Sequence, residues 1–194
     1  MLHLVLFGPP GSGKGTQALQ LKEQYNLLHL STGDIFRYEM KNNTTLGLQA
    51  KAFIDAGKLV PDEVTVGMVE STINRLLTPD YNGIVFDGFP RTIAQAEALD
   101  YLLEQRGDKI NVVLSLEVGD DELTRRMIER GKTSGRSDDA NPEVVKNRIA
   151  VYKNETFPLA DYYHKQQKLV GVQGEGTVEN IFDSLCTATD AAKR

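Results

Sequence analysis

Leu4-Val5-Leu6-Phe7 runs directly into Gly8-Pro9-Pro10-Gly11-Ser12-Gly13-Lys14-Gly15-Thr16, and a helical pattern follows. A buried strand, a glycine-rich turn and a helix in that order make a cradle for phosphate. Glycines let the loop turn its N–H groups inward. The helix beginning near Gly13 adds its positive dipole end, and Lys14 adds a full charge. The loop fits Gly-x-x-x-x-Gly-Lys, with Gly15 where Ser or Thr usually follows and Thr16 one place later.

Further short apolar runs lie at Leu27–Leu30, Ile84–Phe86, Val112–Leu116 and Leu169–Val172. With Leu2–Phe7 they predict five strands, each separated from the next by helical pattern. Continuous apolar runs point to strands buried on both faces, hence a parallel sheet. Alternation with helices predicts an α/β, three-layer, multiply wound fold. Helices are expected to start at Pro61-Asp62-Glu63, at Asp120-Asp121-Glu122 (ending near Gly131), at Asn141-Pro142-Glu143 and at Thr177. Pro158 should break or kink the helix before it. Residues 31–60 hold two helical segments that interrupt the alternation. The polar stretch around 131–140 reads as a flexible loop between helices, a candidate lid.

The chain has 194 residues and 40% apolar content, enough for one domain with a real core. Its single cysteine, Cys186, excludes an internal disulfide framework, and three histidines with one cysteine give no basis for a zinc site. A net charge of −5 argues against a general nucleic-acid binder. No stretch approaches the ~20 apolar residues of a membrane span. The first residues enter a strand with no basic region before it, so no secretory leader is expected and a cytoplasmic setting is the default.

Two more segments carry chemistry. Ile84-Val85-Phe86-Asp87 is an apolar strand ending in a carboxylate, a position from which phosphate-loop proteins help hold Mg²⁺. Asp87 continues into Gly88-Phe89-Pro90-Arg91-Thr92, so Arg91 emerges at the carboxyl end of a strand, where ligands bind in such sheets. The Phe89–Pro90 bond is predicted to be cis, turning Arg91 back toward the site. Thr92 and Gln95 have capping-box spacing, as do Ser31 and Asp34, so both pairs also read as helix-start residues. Arg37 lies a turn further in. Arg126 and Arg130 share a helix face, Arg136 lies in the polar loop, and Arg148 lies on the helix after it. Each alone reads as a surface charge. Together, in an acidic chain, they gather on the loops around one site.

Over nearly its full length the chain resembles adenylate kinases with a short lid, within the nucleoside monophosphate kinase family. The resemblance rests on Gly8–Thr16, on Leu30-Ser31-Thr32-Gly33-Asp34 and Gly57-Lys58-Leu59-Val60-Pro61-Asp62, on Asp87-Gly88-Phe89-Pro90-Arg91-Thr92 with Gln95, and on Arg130–Asp139. It implies a phosphate-loop NTPase fold across 1–194, with a five-stranded parallel sheet, an AMP-binding helical insertion at 31–60 and a short lid at 130–140. It implies reversible transfer of a phosphoryl group from MgATP to AMP, giving two ADP. Gly11, Ser12, Gly13, Lys14, Gly15 and Thr16 would then hold ATP phosphates, with Arg126 on the adenine and Gly176 admitting the ATP base. Thr32, Arg37, Lys58, Leu59, Val60, Gly88, Phe89, Pro90, Arg91 and Gln95 would hold AMP. Arg130, Arg136 and Arg148 would clamp the transferring group, and Asp138 and Asp139 would orient the lid arginines. Asp87, through water, and Thr16 would serve Mg²⁺. The family expectation is a monomer.

A pyrimidine monophosphate kinase is the nearest alternative. Those enzymes usually carry Ala in place of Thr32 and Asn in place of Thr92, so Thr32, Thr92 and Gln95 favour AMP. A signalling GTPase would need an Asn-Lys-x-Asp motif, which is absent. A non-catalytic nucleotide-binding protein would be expected to lose Lys14 or the arginines, and all are present.

Overall fold

A computed structural model describes residues 1–193. Five strands form one parallel sheet: β1 (Leu2–Phe7), β2 (Leu27–Ser31), β3 (Gly83–Asp87), β4 (Val112–Glu117) and β5 (Leu169–Gln173). Their spatial order is β2-β3-β1-β4-β5. The chain leaves β1 toward one edge and leaves β3 toward the other, which opens a crevice at their carboxyl ends.

The alternation of side chains along each strand divides the core in two. Leu4 and Leu6 of β1, Val85 of β3 and Leu114 of β4 point to one face, under α1 (Lys14–Tyr25) and α10 (Val178–Ala192). Val5, Phe7, Ile84, Phe86 and Val113 point to the other, under α4 (Asp62–Leu76), α5 (Ile93–Glu104) and α9 (Leu159–Lys165). Buried leucines and valines of this kind each stabilise the fold by about 1.5–3 kcal/mol. Cys186 is half-buried against the α1/α10 side. No helix among the described residues is long and apolar enough to cross a membrane.

The segment between β2 and α4 forms two helices, α2 (Thr32–Lys41) and α3 (Thr45–Asp55), as the pattern predicts. Side chains of Ser31, Thr44, Thr92, Asn141 and Thr177 accept hydrogen bonds from backbone N–H groups at the starts of α2, α3, α5, α8 (Pro142–Val151) and α10. These satisfy donors that a helix cannot pair internally.

The lid departs from its expected shape. Helix α6 (Asp120–Ser134) does not end near Gly131; it continues one turn, and Gly135 caps it in the left-handed region at φ 66°. A further short helix, α7 (Ser137–Ala140), follows, so most of the expected loop is helical. Gly131 serves a different purpose: a Cβ there would lie 2.5 Å from the Asp139 carbonyl oxygen, so its missing side chain lets α7 pack onto α6. The break after α8 comes earlier than Pro158, through a π-helical turn over Tyr152–Thr156.

Gly47 plays the same close-approach role between α2 and α3, because a Cβ there would lie 2.2 Å from the Glu39 carbonyl oxygen. Gly47→Ala should therefore force the two helices apart at a cost of about 1–3 kcal/mol. The melting temperature should fall by roughly 2–12 °C, at about 2–4 °C per kcal/mol for a chain this size. Scanning calorimetry checks it; an unchanged melting temperature would show that the helices part freely.

Candidate active site

The carboxyl ends of β1, β2 and β3 open into a cavity of about 650 Å³. Sheet register places its parts. Leu6 pairs with Asp87, and Ser31 pairs with Asp87 from the other side, so the loops after all three strands meet at one level. That brings Thr32 beside Gly88, whose carbonyl accepts from the Thr32 hydroxyl at 2.8 Å and from Arg91 Nε at 2.7 Å.

The loop after β1 turns through Gly11 and Gly13 with φ of 87° and 94°, conformations that side chains resist. Lys14 Nζ folds back to donate to the carbonyls of Gly8 and Pro9, each at 2.8 Å, and to Ser12 Oγ at 3.4 Å. Burial, reinforced by the nearby charges of Arg91, Arg148 and Arg130 and opposed by Asp87, brings the Lys14 ammonium down to about 7.

Asp87 stands opposite. Burial disfavours its charge, but contact with His29 and the field of Lys14 and Arg91 outweigh burial and hold the carboxyl below its ordinary range. His29 Nε2 lies 3.7 Å from Asp87 Oδ2. Gly15 faces the same carboxylate: a Cβ there would sit 3.6 Å from Asp87 Oδ2, so the loop leaves space beside the acid. An ionised carboxylate with room next to a phosphate loop suits a divalent cation. Among the described residues no group of three His, Cys, Asp or Glu side chains converges to hold a metal. A cation at Asp87 would thus draw most of its ligands from phosphate oxygens and water, as Mg²⁺ commonly does.

Five of the six arginines named from the sequence converge. Arg37, Arg91, Arg130, Arg136 and Arg148 all line the cavity with Lys14 and Thr16. Burial and the charge of Arg148 bring Arg91 down to about 10, still cationic at neutral pH. Burial, Arg37 and Arg130 lower Arg136 as well. Carboxylates restrain this cluster. Asp139 accepts from Arg130 Nε at 2.6 Å and Nη2 at 3.0 Å, and it also contacts Arg148. Asp138 pairs with Arg148 at 2.8 Å. Asp34 pairs with Arg37 at 2.6 Å and lies 3.8 Å from Arg136, joining the insertion to the lid. Asn147 Nδ2 donates across the same gap to the Ala56 carbonyl at 2.7 Å.

Gln95, Gly88, Pro90 and Lys58–Val60 line the cavity with Thr32. The Phe89–Pro90 bond is cis, as the sequence predicts. Phe89 itself packs in the core against Phe86, so its ring lies beneath the site rather than in it. Ser12 is buried in the loop, and Arg126 and Gly176 lie outside the cavity wall. Arg126 donates to the Gly174 carbonyl at 3.1 Å and to Glu122 at 2.7 Å, which sets it against the turn containing Gly176. Two contributors escaped the sequence reading. His29 carried one signal, a polar residue inside an apolar strand. Asp62 is legible as an acidic first-turn residue and as the end of the Gly57–Asp62 segment, with no sign of its partners; it bonds both Thr92 and Gln95.

Asp139 is the buried hub of the lid, with 2% exposure. Its own burial raises the carboxyl, but Arg130 and Arg148 outweigh that and hold it below its ordinary range. Asp139→Asn should destabilise the protein by about 1.5–3 kcal/mol at pH 7, the usual size for hydrogen bonds to charged groups. A depressed carboxylate contributes stability above its unfolded pKa of about 3.9 and loses it as pH falls through the lower folded value. Urea titrations of parent and variant should therefore differ at neutral pH and converge below about pH 4. A gap that persists in acid would locate the effect elsewhere.

The same arrangement carries a family signature. Residues 6–168 match the family model described as adenylate kinase. The adenylate kinase of Bacteroides fragilis is 50% identical over 190 residues, covering 98% of this chain and 99% of that protein. That of Flavobacterium johnsoniae is 50% identical over 190 residues, with the same coverage. That of Porphyromonas gingivalis is 48% identical over 194 residues, 100% of this chain and 98% of its own length. With half the sequence shared end to end, the chain belongs to the adenylate kinase family.

Proposed function

We propose that the cavity carries the family's reaction, reversible transfer of a phosphoryl group from MgATP to AMP to give two ADP, with residues divided between two nucleotides. The observation that supports this reading is the gathering of Lys14 and five arginines on one cavity of an acidic chain. Gly11–Thr16 hold the ATP phosphates, and Arg126 and the Gly176 turn flank the ATP base. Thr32, Arg37, Lys58–Val60, Gly88–Arg91 and Gln95 hold AMP. Arg91, Arg130, Arg136 and Arg148, with Lys14, surround the group in transit.

The attacking atom is an oxygen of the AMP phosphate, a monoester with a second pKa of roughly 6. It is already largely ionised at pH 7, so no residue has to remove a proton. Two polyanions must meet, however, and their repulsion is the main obstacle. Lys14 and the arginines offset it and hold acceptor and donor in line. Mg²⁺, beside Asp87 and Thr16, supplies further neutralisation of the donor phosphates when bound. Asp138 and Asp139 keep the lid guanidiniums aimed at the cavity before substrate arrives, which lowers the reorganisation needed during transfer. Water would be a competing acceptor, and the links to the insertion from the lid through Arg136–Asp34 and from α8 through Asn147–Ala56 help to exclude it. The enzyme acts as a monomer in the cytoplasm, with ATP, AMP and ADP as its partners.

Pure protein incubated with MgATP and each of AMP, CMP, UMP and GMP should form ADP rapidly from AMP alone. Equal rates with UMP would return the assignment to the pyrimidine enzymes. Lys14→Met should lower kcat by a factor of a hundred or more while the circular dichroism spectrum stays unchanged, since losing one such charge costs about 3–4 kcal/mol. A variant with most of its activity would remove the glycine-rich loop from the donor site.

A further inference from the structure

Gln95 is 2% exposed and its side-chain amide is held at both ends. Oε1 accepts from the Arg91 N–H at 2.8 Å. Nε2 donates to Asp62 Oδ1 at 2.8 Å. The other Asp62 oxygen accepts from the Thr92 hydroxyl at 3.0 Å, and that hydroxyl in turn accepts from the Gln95 N–H at 3.2 Å. Asp62 comes from the first turn of α4, thirty-three residues away from Gln95, and does not line the cavity.

The chemistry of the two partners leaves the amide one orientation. An ionised carboxylate has no hydrogen to give, so the atom facing Asp62 must be the NH₂. A backbone N–H has no lone pair to offer, so the atom facing Arg91 must be the carbonyl oxygen. A flipped amide would set acceptor against acceptor and donor against donor. What remains for the cavity is one amide hydrogen and one lone pair, in an order that cannot reverse. Adenine presents a ring-nitrogen acceptor beside an amino donor; guanine presents a ring N–H donor beside a carbonyl acceptor. One fixed order of donor and acceptor pairs with only one of these bases and leaves polar groups unpaired with the other.

We infer that Asp62 is a specificity-determining positioning residue: it holds the Gln95 amide in the orientation that accepts AMP and rejects GMP. The inference rests on the assignment of Gln95 to the acceptor base. It assigns the acidic residue at the start of α4 a task besides favouring the helix dipole, and gives Thr92 one as the strut between Asp62 and α5.

The test compares Asp62→Ala, Asp62→Ser, Asp62→Asn and Gln95→Ala, with Asp62→Ala also made in the Gln95→Ala background. Steady-state kinetics with AMP, GMP and ATP are read beside the melting temperature. Asp62→Ala should raise the AMP KM about two- to tenfold, the cost of ordering on binding a side chain that Asp62 no longer holds. The preference for AMP over GMP should narrow, with the ATP KM unchanged. Asp62→Asn, whose carbonyl oxygen can still accept from Nε2, should restore most of the preference. In the Gln95→Ala background the effect of Asp62→Ala on AMP should vanish, because the two residues act as one unit. Asp62→Ser carries the same measurements if the alanine variant does not fold. A lowered melting temperature with an unaltered AMP KM and AMP:GMP ratio would reduce Asp62 to a tether between α4 and α5. An effect of Asp62→Ala that persists without Gln95 would also overturn the proposal. If Gln95→Ala alone changes nothing, the base assignment fails and takes the proposal with it. If Gln95→Ala impairs AMP while Asp62→Ala and Asp62→Ser do not, only the role of Asp62 fails.

Discussion

Repulsion between like charges is the constraint around which this molecule is arranged. Lys14, Arg37, Arg91, Arg130, Arg136 and Arg148 share the walls of one cavity. Left alone, six cations in a partly dry space would spread apart or draw in water. Three aspartates, Asp34, Asp138 and Asp139, hold four of the arginines by direct contact. Lys14 is held differently, by carbonyls of its own loop, while burial and the neighbouring arginines loosen its hold on its proton. The carboxylates occupy only part of the guanidinium donors, so a concentration of positive charge remains. That remainder is the complement of the charge a phosphate chain carries.

That balance explains which parts of the site were legible in the sequence. The glycine-rich loop could be read because its chemistry is contiguous: strand, turn, lysine and helix follow one another in the chain. Arg91 was legible through Asp87-Gly88-Phe89-Pro90, again a continuous stretch. His29 and Asp62 were not, because each acts on a partner in another element. His29 reaches Asp87 across a strand pair, and Asp62 reaches Gln95 between two helices. A capping box and an acidic helix start each explain their residues locally, and local sufficiency hid the bond between them. Phe89 shows the converse: a motif residue beside the site whose side chain belongs to the core.

The fold was legible for a related reason. All five strands are short apolar runs, and the period of two in β1 to β4 is visible in the two separate cores; β5, at the sheet edge, is not buried on both faces as its apolar run predicts, and fully buries only Val172. The lid was harder. Gly131 stands where a helix terminator would be expected, and a sequence does not distinguish a glycine needed for a left-handed turn from one needed for close packing. Here the two uses sit four residues apart, at Gly131 and Gly135.

The pairing of Leu6 with Asp87 has a consequence for how accurately this site can be built. Neighbouring side chains on a strand face opposite cores, so sliding β3 by one residue along β1 would exchange Ile84 and Phe86 with Val85. Each face would then receive residues shaped for the other. The distance between the glycine-rich loop and Asp87 is therefore not free to drift by small amounts; it can change only in steps that dismantle both cores. Metrology offers an apt comparison: the sheet works as a vernier, and its graduations are the alternating residues of the strands.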